Sequence, residues 1–185
     1  RLDDALLLDN DTFRAACEKA LGEYRSAPCR PPAGAGQSYP ADPGELAALL
    51  DGYLAKAPVP FRSTPLRGLV SPHIDYQRGG AVYAEVWRRA AESARQAEVV
   101  VILGTDHHSE DALLTLTRQS YATPFGVLPT EAAAVDAVAA AVGEADVFAE
   151  ELHHRGEHSV ELAAVWLQHV RRGEPLPVLP ILCGS

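Results

Sequence analysis

Two segments of this 185-residue chain carry side chains able to hold a metal ion: Ser71-Pro72-His73-Ile74-Asp75-Tyr76 and Gly104-Thr105-Asp106-His107-His108-Ser109. Each follows an apolar run that reads as a buried strand. In an open α/β sheet the loops leaving the carboxyl ends of parallel strands line the ligand crevice, so two such loops on neighbouring strands converge. His73 and His107 are therefore the candidate metal ligands, brought together by the fold. A zinc finger or a helical H-E-x-x-H motif would instead keep its ligands close in sequence. The competing reading has these histidines capping strand ends or bonding loop backbone.

Other groups near these loops have two readings each. His108 is a candidate proton carrier alongside His158, a group behind the ligands, a substrate contact or plain surface. Asp75 and Asp106 either hold the imidazoles through their second nitrogen or are ordinary loop-turn aspartates. His158, in Glu157-His158-Ser159, is a candidate general acid or base, or else a partly exposed residue of a first helical turn. Arg78-Gly79-Gly80 offers backbone N–H groups to an anion or marks a plain helix entry. His153 and His154 read as a solvated loop, and Cys183 as a buried filler rather than a nucleophile.

The elements that must position these groups are legible from periodicity. Phe13, Cys17, Leu21 and Tyr24 share one helical face. Proline, glycine and alanine between Ser26 and Pro43 read as a linker, with a boundary near residue 30. Asp42, Pro43 and Glu45 predict an N-cap, a proline at the first helical position and an acidic first turn for a helix to about Ala57. Short apolar runs then alternate with helices: strand Gly68–Ser71, helix Gly80–Ala94, strand Glu98–Leu103 and strand Ala112–Thr117. A helix capped by Thr130 and closed at Gly143 follows, then helix Glu157–Arg171 and strand Pro177–Cys183. This order predicts a layered α/β fold with a largely parallel sheet flanked by helices.

Composition sets outer bounds. The formal net charge is −9 and 47% of residues are hydrophobic, which fits a globular domain and argues against nucleic acid as a partner. The apolar run Val99–Leu103 is too short to cross a bilayer and no signal-peptide layout is present, so no membrane role and a cytoplasmic location are expected. Three cysteines without a C-x-x-C pair signal neither a disulfide framework nor a thiolate zinc site. The sequence contains no methionine, not even at its start. It therefore reads as a processed chain, a fragment, or a sequence from which modified methionines are missing.

At these motifs the sequence resembles the Memo family. Leu69-Val70-Ser71-Pro72-His73-Ile74-Asp75-Tyr76 is similar to that family's strand followed by P-H-x-G/D-Y, and Ile102 to His108 to its G-x-S-H-H loop. Tyr121-Ala122-Thr123-Pro124-Phe125-Gly126 resembles its Y-x-T-P-x-G turn, Glu157-His158-Ser159-Val160-Glu161 its E-H-S-[IV]-E helix start, and Leu179 to Gly184 its V-P-I-L-x-G strand. Ala35-Gly36-Gln37-Ser38-Tyr39-Pro40 is similar to its opening A-G-S-W-Y-P. The resemblance implies residues 1–30 as a helical extension and 31–185 as an α/β domain like class III extradiol dioxygenases. It also implies a non-haem iron or copper site, Fe(II) first, with His73 and His107 as the ligands present here; zinc is a further candidate apart from the resemblance. For bacterial members known as AmmeMemoRadiSam system protein B, it implies a radical-SAM protein and an AMMECR-type protein as partners. Asp106 stands where serine is common. The family's later S-S-D-x-x-H-x-G segment and its ligand cysteine have no counterpart here, and Cys183 does not match that cysteine by position. The expected activity is metal-dependent, dioxygenase-like oxidation. The alternatives are a scaffold that takes a small-molecule or peptide ligand in the same crevice, and zinc-dependent hydrolysis.

Overall fold

The computed structural model describes residues 2–58, 65–109 and 112–184. In chain order its elements are α1 (Asp11–Ser26), α2 (Pro43–Lys56), α3 (Tyr76–Gln96), β1 (Val100–Thr105), β2 (Leu114–Leu116), β3 (Tyr121–Thr123) and β4 (Gly126–Leu128). They continue with α4 (Ala132–Val142), α5 (Glu144–Val147), a 3₁₀ turn (Glu151–Arg155), α6 (Ser159–Val170) and β5 (Val178–Cys183). Asp42 starts α2 as its sequence predicts, its carboxylate accepting the Glu45 N–H at 2.9 Å with Pro43 in the first turn. Thr130, expected to cap α4, instead donates its hydroxyl to the Gln119 carbonyl, and α4 begins without a side-chain cap.

The α/β layering expected from the element order is present. Strand order is β1-β5-β2, with β1 and β5 parallel and β2 joining β5 antiparallel, so the sheet is mixed; β3 and β4 form a separate hairpin. Strand β5 has a core on each face. Val178 and Leu182 pack with α2, α3 and α6, while Leu179 and Ile181 pack with Val135, Ala139, Val147 and Phe148 of the α4–α5 segment. An uninterrupted apolar run is what such a doubly covered strand requires. Pro180 falls just outside the residues that β2 pairs with, where a missing N–H is tolerated. The aromatic centre of the first core is Tyr76, Tyr83 and Trp166, with Tyr83 stacked on Trp166 at 5.9 Å and the Tyr76 hydroxyl donating to the Leu162 carbonyl.

Two expected strands differ from the reading of the sequence. Gly68–Ser71 is irregular rather than a buried strand, and Val70 is 91% exposed. Strand β1 forms but is buried on one face only: Ile102 enters the core, whereas Val101 and Leu103 are 54% and 67% exposed. Of the predicted apolar face of α1, only Tyr24 is buried. Among the described residues, no helix is long and apolar enough to cross a membrane.

Candidate metal centre

Gly104, near the carboxyl end of β1, is where strand and helix come closest. A Cβ there would lie 2.5 Å from Ser159 Oγ and 2.7 Å from Val160 Cγ2, so glycine lets the start of α6 settle onto the strand. Ser159 Oγ fastens the approach by donating to the Thr105 carbonyl at 2.9 Å. The His107 loop and the Glu157-His158 segment are thereby held side by side. The His73 loop is held from α3: Trp87 Nε1 donates to Ser71 Oγ and the Tyr83 hydroxyl to the Ile74 carbonyl.

Three imidazoles meet as a result. Ring centroids are 4.9 Å apart for His107 and His158, 5.2 Å for His73 and His107, and 6.0 Å for His73 and His158. Imidazoles sharing one ion through bonds of about 2.1 Å have centroids about 4.5–6 Å apart, and these rings fall in that range, although the donor atoms that lie within 4.8 Å of one another are those of His107, Glu157 and His158, with His73 outside that set. His73 and His107 come together as expected, and His158 joins them.

Glu157 organises the group, and the sequence reading had assigned it no part. Its carboxylate is 1% exposed and lies 3.0 Å from His107 Nδ1 and 3.1 Å from His158 Nδ1. It also accepts backbone N–H groups from His107, His158 and Ser159 at 3.2, 2.7 and 2.9 Å. Burial alone would raise its pKa, but the bonds from Ser159 and His107 outweigh burial and bring it down to about 2. With His107 Nδ1 hydrogen-bonded to this carboxylate as a donor, its Nε2 is left as a lone-pair ligand, whereas His158, whose Nδ1 lies near the other oxygen, is tied to Glu157 through its backbone N–H. One donor atom each from His107, Glu157 and His158 falls within 4.8 Å of the others. The His73 ring has its pKa lowered by partial burial and by the two facing imidazoles, which favours the neutral, metal-binding form.

The remaining candidates lie elsewhere. Asp75 caps α3 and binds the Arg78 N–H and guanidinium, not an imidazole. Asp106 faces His153 Nδ1 at 3.0 Å and the His108 N–H, not His107. His108 packs its ring near that of His153, 6.0 Å between centroids. The N–H groups of Arg78 and Gly79 are taken by Asp75, so they offer nothing to an anion; Gly80 is there because the Tyr53 ring leaves no room for a Cβ. His153 and His154 are not a solvated loop. His154 is fully buried between the Tyr121 hydroxyl and the Thr115 carbonyl, and burial lowers its pKa to about 4. Cys183 is partly buried against the second core, as a filler would be.

Beneath the site lies an ion pair that the sequence did not announce. Arg30 and Glu161 are 0% and 1% exposed and bonded to each other. Arg30 also donates to the carbonyls of His154 and Glu157, at 2.6 and 2.7 Å, and so holds both ends of the turn that carries Glu157. Glu161 in turn accepts the N–H groups of Ala33 and Gly34 and the Tyr39 hydroxyl.

Comparison with known proteins identifies relatives of this chain. The chain is 35% identical over 161 residues to a MEMO1 family protein of Methanopyrus kandleri, covering 82% of this chain and 55% of that protein. It is 30% identical to one from Methanosarcina acetivorans (84% and 54% covered) and 26% identical to one from Aquifex aeolicus (91% and 44%). The chain thus spans about half the length of the curated relatives it matches. The sequence pattern described as "Memo-like protein" matches residues 30–185, which include all three histidine-bearing segments and every strand: the chain belongs to the Memo family.

Proposed function

We propose that this chain carries the histidine face of a mononuclear metal centre and that the protein is a metal-dependent oxidoreductase of dioxygenase-like type, acting in the cytoplasm. The observation that carries the reading is the gathering of the His73, His107 and His158 rings around the buried Glu157 carboxylate, which holds His107 Nδ1. Imidazole suits iron, copper and zinc alike, so the donor set fits all three. Fe(II) is the first choice because of the likeness to extradiol dioxygenases. A redox ion bound there with open positions would supply electron transfer to a bound substrate.

The chain's own residues have separate tasks. His73 and His107 bind the metal. His158 either completes the set or, through Nε2, carries a proton to or from a bound substrate. Glu157 keeps the His107 ring in one orientation and tautomer. A small molecule or a short peptide is the ligand class, and a radical-SAM protein and an AMMECR-type protein are the proposed partners.

A second reading, a scaffold that binds a peptide through the same surface, draws support from one observation. His73, His107 and His158 line neither of two surface cavities, the one between α2, α3 and α6 and the one beside Phe148; His73 and His107 are exposed and His158 half-buried. The test is metal content per chain in anaerobically purified protein, wild type against a His73→Ala, His107→Ala double variant. Near-stoichiometric iron or copper that is lost in the variant supports the metal centre. Metal-free wild type, with peptide binding that survives both substitutions, overturns it in favour of the scaffold.

A further inference from the structure

Arg30 lies beneath the turn that leads into α6, 127 residues from Glu157 in sequence. Its guanidinium is fully buried. Nε donates to the His154 carbonyl at 2.6 Å, one terminal nitrogen to the Pro31 carbonyl and to Glu161, and the other to the Glu157 carbonyl at 2.7 Å. The arginine is itself fixed beside β3. Its N–H donates to the Ser120 carbonyl, its carbonyl accepts the Ala122 N–H, and its guanidinium lies over the Tyr121 ring, 4.8 Å from the centroid.

A buried ion pair contributes little net stability, and apolar side chains of similar volume often serve a fold as well. What they cannot supply is a planar fork of donors at fixed angles. Besides Glu161, the acceptors here are backbone carbonyls, and those of His154 and Glu157 bracket the turn. The His154 ring is fastened as well, between the Tyr121 hydroxyl and the Thr115 carbonyl. The Glu157 peptide is therefore held from below, while its carboxylate meets the N–H and Nδ1 of His107 at 3.2 and 3.0 Å. A displacement of about 0.6 Å takes both contacts beyond hydrogen-bonding distance.

We infer that Arg30 is a positioning residue of this site: through the Glu157 carbonyl it sets the carboxylate that holds His107 Nδ1, which leaves His107 Nε2 available to a metal ion. Only the last step rests on the metal-centre reading, because the hold on the ring belongs to the chain without metal. Lysine does not replace arginine here. Its ammonium keeps a charge beside Glu161, but donors that diverge from one nitrogen cannot serve acceptors arranged around a planar fork.

The test compares wild type, Arg30→Lys and Val135→Ala, the last of which lowers stability from the second core without touching the site. Circular dichroism confirms that each is folded, and Arg30→Met with Glu161→Gln takes the place of Arg30→Lys if that variant is not. Long-range ¹H–¹⁵N spectra of the metal-free proteins, at a pH of about 8, assign the His107 tautomer. Wild type and Val135→Ala show Nδ1–H alone, whereas Arg30→Lys shows a mixture of the two tautomers. Its Zn²⁺ affinity, by competition with a chelator, falls about tenfold, while that of Val135→Ala holds. A single Nδ1–H tautomer in Arg30→Lys, or an affinity that falls equally in Val135→Ala, overturns the inference and leaves Arg30 a packing role alone. A wild type that takes up no metal overturns the metal-centre reading instead, and the tautomers still decide whether Arg30 holds His107.

Discussion

Replacing Glu161 by glutamine keeps the shape of the side chain and removes its charge, beside an arginine that cannot lose its own. Both residues are almost fully buried. One Glu161 oxygen accepts Arg30 and the Ala33 N–H, while the other accepts the Gly34 N–H and the Tyr39 hydroxyl. Every bond into the carboxylate comes from a donor, so whichever way the glutamine turns, its NH₂ group faces donors. Breaking a buried pair by removing one partner costs about 3–5 kcal/mol. For a domain of this size that corresponds to a fall in melting temperature of about 10 °C. The assay is thermal unfolding by circular dichroism for Glu161→Gln, Arg30→Met and the double variant. Because the two side chains are partners, the double variant loses about 2 kcal/mol less than the sum of the singles. A Glu161→Gln shift below about 1 kcal/mol, or additivity within about 0.5 kcal/mol, refutes the account of Arg30 and Glu161 as one unit.

Glu157→Gln lowers iron or copper affinity about 10–100-fold, because the carboxylate that orients the His107 ring is lost; an affinity within twofold of wild type, by competition with a chelator, removes that role. Gly104→Ala destabilises the protein by about 1–3 kcal/mol in urea, since Ser159 and Val160 must move, and it weakens metal binding as His158 moves away from His107. A variant as stable as wild type shows that α6 does not need the close approach. Five of the six tyrosines (Tyr24, Tyr39, Tyr76, Tyr83 and Tyr121) have their pKa raised, burial being the largest cause, Tyr24 to about 12. Above pH 10 the folded chain therefore keeps protons that the unfolded chain gives up, and stability falls as pH rises through 10 to 12. In an absorbance titration the equivalent of no more than one tyrosine ionises before the far-ultraviolet circular dichroism collapses. Several tyrosines ionising in the intact fold contradict the burial argument.

The parts read correctly from sequence are those set by local chemistry or by strict periodicity. Asp42, Pro43 and Glu45 fix the start of α2 within one turn of chain, and the apolar run of β5 needs no distant information. The placing of His107 just beyond a strand was legible in the apolar run of β1, whereas His73 lies near it although Gly68–Ser71 forms no strand. Glu157 was not legible, because its role depends on an imidazole far from it in sequence; only its place beside His158 hinted at it. His154 was misread for a related reason: Arg30, Thr115 and Tyr121, which enclose it, are all distant along the chain. Asp75 went the other way, since an aspartate three residues before Arg78 at a helix start is satisfied locally. Val99 to Leu103 reads as doubly buried because apolar residues fill both faces, yet among the described residues only the Ile102 face is covered.

The order of strands in the sheet has a consequence for how the protein is made. Strand β5 lies between β1 and β2 but follows both in sequence, and Val100 must wait for Val178. At roughly 5–20 residues per second a ribosome takes several seconds to cover that distance. Throughout that interval β1 and β2 lack the strand that joins them, and the apolar side chains of Ile102 and Leu116 await partners. Nascent chains of this kind are the ones that chaperones retain. The loop before His107 is tied to the same late strand by the Asp106 N–H on the Cys183 carbonyl, so an ion offered to the growing chain meets scattered histidines. Loading of the proposed metal centre would then follow folding, and a shortage of the ion would leave folded apoprotein rather than unfolded chain.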